Sequence, residues 1–351
     1  MPEVIKLRKG LDIKLKGAAD KELVAVKASK QYALVPDDFI GVTPKVVVAE
    51  GQHVKAGEAL FVDKKHPEVK FVSPVSGVVA AVNRGARRKV MSIVVTADAK
   101  QESVNFGVKS VHSLSGDRMD PNVPLIVPEV NPEDVAWHNG IISNPNCSTI
   151  ITLTAVNALN SISPIRTMTA STYQAVSGAG AEGPVELQNE VDALAKGETY
   201  QPKVFSHQIA FNLIPQIGGE AYEGYTSEEM KMQNEGRKIM HLPELAVSCT
   251  CVRVPVMRSH SISVSCHFDV PVTVEQVRNV IANAPGCKLV DDLANKQYPM
   301  PLDTSDQDLV FVGRIRPDLT DDNGICLWCC GDQVRKGAAT NCIQIAELLV
   351  K

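Results

Sequence analysis

The tetrapeptide Pro145-Asn146-Cys147-Ser148 constrains this chain more than any other stretch. It lies between a short, mostly apolar strand-like run, Gly140-Ile141-Ile142-Ser143, and a run that reads as a helix from Thr149 to Val156. A cysteine at a helix start meets unpaired N–H groups and the positive end of the helix dipole, which lower its pKa and favour thiolate. The expectation is therefore an activated nucleophile. A small buried cysteine packed as a hydrophobe is the ordinary alternative, and residues further along decide between the two.

Gln174 ends a strand-like run, Thr167 to Tyr173, and Arg253-Val254-Pro255-Val256-Met257-Arg258-Ser259-His260 follows downstream. Cys, Gln, Arg and His together suit aldehyde oxidation. The thiolate adds to a carbonyl, a histidine takes the hemithioacetal proton, hydride leaves to a nicotinamide, and a second nucleophile captures the thioester. The strings themselves are more specific. From Arg118-Met119-Asp120 through Pro124-Leu125-Ile126-Val127-Pro128-Glu129-Val130-Asn131 to Asn341 the chain closely resembles the aspartate-β-semialdehyde dehydrogenases, over residues 112–351.

That resemblance implies roles. Cys147 is the acyl-thioester nucleophile, Gln174 orients substrate, and His260 is the acid/base. Arg253 grips the substrate α-carboxylate, a task for which its planar fork suits better than lysine. Glu228 meets the substrate amino group, and Asn146 completes the substrate contacts. Arg118 and Lys231 bind phosphate, the second nucleophile of the family. Taken alone, Glu228 and Lys231 would read as an exposed helix ion pair. Ser177, Gly178 and Asn341 lie beside the cofactor, NADP, and no metal is implied. The reaction implied is NADP-dependent reductive dephosphorylation of aspartyl phosphate in amino-acid biosynthesis, carried out by a homodimer or larger oligomer.

A dehydrogenase of this family should open with a strand, a glycine-rich turn and a helix that hold the dinucleotide pyrophosphate. Residues 1–107 contain no such unit. The Gly-x-Gly-x-x-Gly match at Gly178-Ala179-Gly180-Ala181-Glu182-Gly183 follows a strand and precedes a helix-like run from Pro184 to Val191. It reads as a decoy, because it sits four residues after Gln174, where the family has a loop beside the nicotinamide. NADP binding is therefore expected to be weak and turnover poor. Ala338, Cys342, Ile345 and Leu349 form an apolar stripe at helical spacing whose family partner would be missing, and association through it is expected.

The N-terminal part carries a different signature. Glu50 to Phe61 and Phe71 to Val82 are two glycine-turn stretches flanked by short strands, which read as a small β-sandwich or barrel. With Arg8-Lys9-Gly10-Leu11-Asp12 and Phe61-Val62-Asp63-Lys64-Lys65, they resemble the A-type subunit of the Na+-translocating NADH:quinone oxidoreductase, and the turns are similar to those of a biotinyl/lipoyl-type hammerhead. Lys64 sits where a lipoyl domain carries its modified lysine, although a hairpin lysine is ordinarily just solvated.

The expected fold class is α+β and multi-domain. A barrel-sandwich hybrid module spans 1–105, a seam with the remnant of a cofactor domain 106–146, the catalytic and dimerisation domain 147–330, and a C-terminal helix 331–351. The catalytic part should hold a mixed or antiparallel sheet with helices on one face. Capping boxes at Thr226-x-x-Glu229 and Thr273-x-x-Gln276 mark two helices, and Leu245 to Val256 and Ser261 to Val270 mark strands. A net charge of -4 gives no basic excess for a nucleic-acid partner, and the run Arg84 to Lys89 reads as a solvated turn. No apolar run approaches the roughly 18 residues that span a bilayer, so a cytoplasmic protein without direct membrane insertion is expected. The nine scattered cysteines suit reduced thiols, and Cys326-x-x-Cys329 lacks the second pair of a zinc site. Two other readings stay open: a module of a membrane redox complex, and a mis-joined hybrid without dedicated function.

Overall fold

The computed structural model describes residues 27–107 and 117–350, so Arg8 to Asp12 lie outside the described residues. The chain divides into two units, Met1–Lys109 and Ser110–Lys351.

The described part of the first unit is built from seven strands: β1 (Gln31–Leu34), β2 (Pro44–Val46), β3 (His53–Val54), β4 (Ala59–Asp63), β5 (Lys70–Val72), β6 (Gly77–Arg84) and β7 (Val90–Ala97). They form a four-stranded sheet, β1-β7-β6-β3, and a three-stranded one, β2-β4-β5, with every strand pair antiparallel. Alternate residues turn inward, as a half-buried pleat requires. Val54, Leu60, Phe61, Val79, Ile93 and Val95 make the core, and Phe61 stacks on Phe71 with ring centroids 4.5 Å apart. Gly77 is required sterically, because a Cβ there would lie 2.0 Å from the Thr96 carbonyl oxygen. Lys64 is exposed at the turn after β4. Asp63 holds that turn by accepting from the Thr43 and Lys65 N–H groups.

The second unit centres on a six-stranded mixed sheet, in the order β11-β8-β12-β15-β14-β13. Its strands are β8 (Ile165–Gln174), β11 (Ala246–Arg253), β12 (His260–Phe268), β13 (Cys287–Leu289), β14 (Val310–Pro317) and β15 (Gly324–Gly331). A separate hairpin joins β9 (Glu220–Tyr222) to β10 (Tyr225–Thr226). β11 runs parallel to β8 and β13 parallel to β14; the other pairs are antiparallel.

Three helices, α1 (Cys147–Asn160), α3 (Ser227–Ile239) and α4 (Val274–Asn283), share one apolar core with the inward side chains of the sheet. α1 is buried almost all round from Ser148 to Val156, so packing rather than the weak helix propensity of its Ile and Thr residues holds it. Both expected capping boxes are formed, at Thr226 and Thr273. α2 (Glu182–Ala195), the short α5 (Pro301–Thr304) and α6 (Thr340–Val350) complete the unit.

One expectation is corrected here. Residues 140–143 form no strand and contribute only an isolated bridge, Leu125 to Ser143, because no neighbouring strand offers them a ladder. The stripe on α6 is partly covered: Ile345 is buried, whereas Cys342 and Leu349 are exposed together with Ile343 and Val350. No helix among the described residues is long and apolar enough to cross a membrane.

Candidate active site

Sheet register gathers the first group of residues. Gln174 closes β8 and pairs with Arg253, which closes the parallel strand β11. On the other flank β12 runs antiparallel and begins at His260, with Ser261 opposite Tyr173. Three candidate side chains from distant parts of the sequence thus reach one end of the sheet. Ser259 turns the chain into β12 with a φ of 74°. That left-handed conformation is held by a bond from its N–H to Gln333 Oε1 and one between its hydroxyl and Thr304 Oγ1.

The N-terminus of α1 delivers Cys147 to the same end, with Sγ 3.5 Å from His260 Nε2. Asn146 caps the helix, its side-chain oxygen accepting from the Ser148 and Thr149 N–H groups. Gly337 closes against the cysteine, since a Cβ there would lie 3.1 Å from Cys147 Cβ. The expected depressed pKa is not found. Burial, followed by the Glu228 carboxylate, pushes the Cys147 thiol up to about 11, outweighing the Ser148 hydrogen bonds and the Arg253 charge. A helix end lowers a thiol pKa when the sulfur is hydrated; here desolvation wins.

Ala175 ties this end together. Its N–H donates to His260 Nδ1 at 3.0 Å, and its carbonyl accepts from Arg253 Nη1 at 2.7 Å. His260 is fully buried, and burial, with the nearby Arg253 charge, holds its pKa well below the usual histidine range. Gly178 is the packing partner of both side chains. A Cβ at that position would meet Arg253 Nη1 at 2.8 Å and His260 Cε1 at 3.0 Å.

A second cluster grows from α3. Glu228 Oε1 accepts from Asn146 Nδ2 at 2.9 Å and from Gln174 Nε2 at 3.2 Å, while Oε2 accepts from Lys231 Nζ at 3.0 Å. Burial opposes its ionisation, but the bonds from Asn146, Lys231 and Gln174 and the lysine charge prevail, and its pKa lies below the usual glutamate value. Glu228 and Lys231 are the expected i,i+3 ion pair, yet one turned inward onto Asn146 and Gln174.

Two residues missed in the sequence complete this cluster. Buried Glu235, one turn beyond Lys231, accepts from the Asn146 N–H at 2.8 Å and from Arg118 Nη1 at 3.1 Å. Burial raises its pKa in spite of these bonds. Lys238 donates to the carbonyls of Arg118, Asp120 and Val123, fixing the segment that presents Arg118. The spacing of 228, 231, 235 and 238 marks one face of α3 and was the available signal. Arg118 and Lys231 line one shallow pocket of about 260 Å³ with Ser227, Asn234 and Glu235. Two part-exposed cations there suit an anion.

A third segment, residues 203–210, is anchored by two buried carboxylates of α2. Glu186 accepts from the N–H groups of Lys203, Val204 and Phe205, and Glu190 from those of Ile209 and Ala210. This sets the Phe205 ring 5.9 Å from the Arg253 guanidinium. Both line a cavity of about 300 Å³, together with Ala179, Ile214 and Gln216.

The residues expected beside NADP fare differently. Ser177 and Gly178 border the site, Ser177 Oγ accepting from Gln333 Nε2. Asn341 is fully buried, its Nδ2 donating to the Ile126 carbonyl and Asn144 Oδ1 and its Oδ1 accepting from Lys336 Nζ. These bonds tie α6 to the segment leading to Cys147. The glycines of the Gly-x-Gly-x-x-Gly match have packing reasons: Gly178 as above, Gly180 a φ of +96°, and Gly183 a Cβ position 2.1 Å from the Val176 carbonyl oxygen. Among the described residues of the second unit, no β-strand precedes α1, so no strand, glycine turn and helix of the kind that holds a dinucleotide pyrophosphate opens that unit.

Comparison with known proteins agrees with this geometry. Residues 156–336 match the family described as semialdehyde dehydrogenase, dimerisation domain, and residues 5–98 match the NqrA N-terminal barrel-sandwich hybrid domain. An aspartate-semialdehyde dehydrogenase from Synechocystis is 45% identical over 251 residues, covering 72% of this chain and 74% of that protein. One from Prochlorococcus marinus is 41% identical over 300 residues, covering 84% and 85%. The crystal structure of aspartate semialdehyde dehydrogenase II from Vibrio cholerae, complexed with ASA, superposes with a TM-score of 0.64 at 44% identity, covering 66% of this chain and 69% of that one. With a barrel-sandwich segment of another family at its N-terminus, the chain belongs to the aspartate-semialdehyde dehydrogenase family.

Proposed function

We propose that the second unit binds aspartyl phosphate and transfers its β-acyl group to Cys147, the substrate half of aspartate-β-semialdehyde dehydrogenase chemistry. The observation that carries this reading is the convergence of Cys147, His260, Gln174, Arg253 and Glu228 at one end of the sheet. Arg253 supplies the charge for the α-carboxylate, and the ionised Glu228 suits the amino group. Arg118 and Lys231 receive the phosphate. Ser177 and Gly178 are left to touch the nicotinamide end of NADP, which would supply hydride; among the described residues no strand, glycine turn and helix precede α1 to hold its pyrophosphate. We therefore expect weak NADP binding and poor turnover.

The division into 1–105, 106–146, 147–330 and 331–351, the hammerhead turns of the first unit, a homodimer and a cytoplasmic setting belong to the same reading. Mass spectrometry of the intact chain after exposure to β-aspartyl phosphate tests it. One acyl group on Cys147, absent from Cys147→Ser, is expected; an unmodified Cys147 would reject the proposal. Calorimetry tests the cofactor part separately, and micromolar NADP affinity would overturn it.

A further inference from the structure

We infer that Glu235 is a positioning residue: the two oxygens of its carboxylate hold the Arg118 guanidinium at a fixed separation from the Asn146 N–H, one residue before Cys147. Oε1 accepts from Arg118 Nη1 at 3.1 Å and Oε2 from the Asn146 N–H at 2.8 Å. Both oxygens face donors, the arrangement that suits an ionised carboxylate. The group is planar and rigid, so it cannot turn to follow one partner without leaving the other. Its side chain is 2% exposed, against 41% for Arg118. The carboxylate is therefore the fixed member of the pair, and the guanidinium is the guided one.

Arg118 needs such a guide because no helix or strand carries it. Residues 117–124 run as turns, a bend and irregular backbone, and a long side chain half in solvent otherwise spreads over many rotamers. α3 fixes this segment twice, from residues one turn apart. Lys238 donates to the carbonyls of Arg118, Asp120 and Val123 and sets the main chain; Glu235 sets the side chain. That bond runs through Nη1, so it orients the guanidinium fork without consuming it. Glu235 lines the pocket that Arg118 and Lys231 share, where a bare carboxylate would repel an anion. Its bonds to the Arg118 guanidinium and the Asn146 N–H offset that charge.

This inference deepens the acyl-transfer reading and rests on its assignment of Arg118 and Lys231 to phosphate. In that reading phosphate leaves from the carbon that Cys147 attacks, so the guanidinium and the start of α1 must keep one geometry through the reaction. Two hydrogen bonds through a single carboxylate link them. Asn146 carries the link onward, its Oδ1 accepting from the Ser148 and Thr149 N–H groups at the helix start. Glu235 thus acts on the anion through Arg118 and on the nucleophile through Asn146.

Calorimetry of the full chain with inorganic phosphate tests the link. Glu235→Gln keeps an oxygen for the Asn146 N–H but turns an amide N–H toward the guanidinium. It should weaken phosphate binding about tenfold, within the range for residues coupled in one network. In an Arg118→Ala background, where Lys231 remains, the same substitution should change binding by no more than about twofold, the scale of independent sites. An equal loss in both backgrounds, or no loss in the first, overturns the inference, because a residue that only supports the fold would not act through Arg118. Nitrogen-15 NMR of the arginine-labelled chain gives a readout independent of phosphate. The Arg118 side-chain signals, assigned by their loss in Arg118→Lys, should show hindered rotation about Nε–Cζ in the unaltered chain and free rotation in Glu235→Gln. A guanidinium that turns freely in the unaltered chain overturns the inference even if Glu235→Gln does not fold. A hindered guanidinium on a chain that binds no phosphate upholds the positioning and sinks the phosphate assignment alone, so the two failures are distinguishable.

Discussion

Replacing Glu228 with glutamine should make Cys147 react faster, because the carboxylate is the second-largest reason, after burial, that the thiol is pushed up to about 11. With that value, roughly one molecule in ten thousand carries thiolate at pH 7, against about 3% for a free cysteine of pKa near 8.5. Glutamine has nearly the same shape and keeps an acceptor for Asn146 Nδ2 and Gln174 Nε2, while an amide N–H replaces the Oε2 that accepts from Lys231, so one negative charge and its ion pair are lost together. Removing about 1.4 kcal/mol of repulsion raises the thiolate population about tenfold. The assay is alkylation by iodoacetamide, followed by peptide mapping to separate Cys147 from exposed Cys342. Because the thiolate predominates only above about 11, the unaltered chain's rate should still be climbing about tenfold per pH unit at pH 9. Glu228→Gln should lie about tenfold higher throughout. A plateau below pH 8, or a Glu228→Gln rate equal to or below that of the parent, would refute the electrostatic reasoning.

Lys336→Met should cost about 3–5 kcal/mol, because it leaves the Glu129 carboxylate buried without the ammonium that neutralises it; a urea midpoint shifted by less than 1 kcal/mol-equivalent would count against the pair. Gly178→Ala forces a Cβ to within 2.8 Å of Arg253 Nη1 and should lower stability by about 1–3 kcal/mol, again read by urea denaturation, with an unchanged midpoint as the contrary result. Glu186→Gln replaces a carboxylate that accepts three main-chain N–H groups with one acceptor oxygen and an opposing donor. Amide exchange at Lys203, Val204 and Phe205 should accelerate by about tenfold or more, and unaltered protection there would mean that other contacts hold the segment.

Much of the second unit was legible because its signals are local. Thr226 and Thr273 announce their helices through capping boxes, and the β8, β11 and β12 runs carry the composition of strands. Register then explains why Gln174, Arg253 and His260 meet, although only the family resemblance linked them beforehand. The less legible residues act through groups that side-chain patterns do not describe. Ala175 works with its peptide N–H and carbonyl. Glu186, Glu190, Glu235 and Lys238 read as charged helix surface, yet their carboxylates and ammonium satisfy main-chain groups of segments far away in sequence. The Cys147 pKa failed for a related reason: the helix-end rule is visible in Asn146-Cys147-Ser148, whereas burial and the approach of Glu228 appear only in three dimensions. Asn341 was placed by analogy beside a cofactor, and its side-chain bonds to Ile126, Asn144 and Lys336 could not be read from the sequence.

The peptide of Ala175 has a consequence for how this fold can change over evolutionary time. Because one residue fixes both the ring of His260 and the guanidinium of Arg253, the roles proposed for them, substrate choice and chemical competence, would not be separable traits. A variant that re-aims the arginine toward a longer or shorter acid by shifting the end of β8 also disturbs the histidine. New specificities should therefore arise more readily from the segment around Phe205, which is anchored on α2 and borders the Arg253 guanidinium. Selection for altered substrates would leave its record in residues 203–217 while residues 174–178 stay fixed.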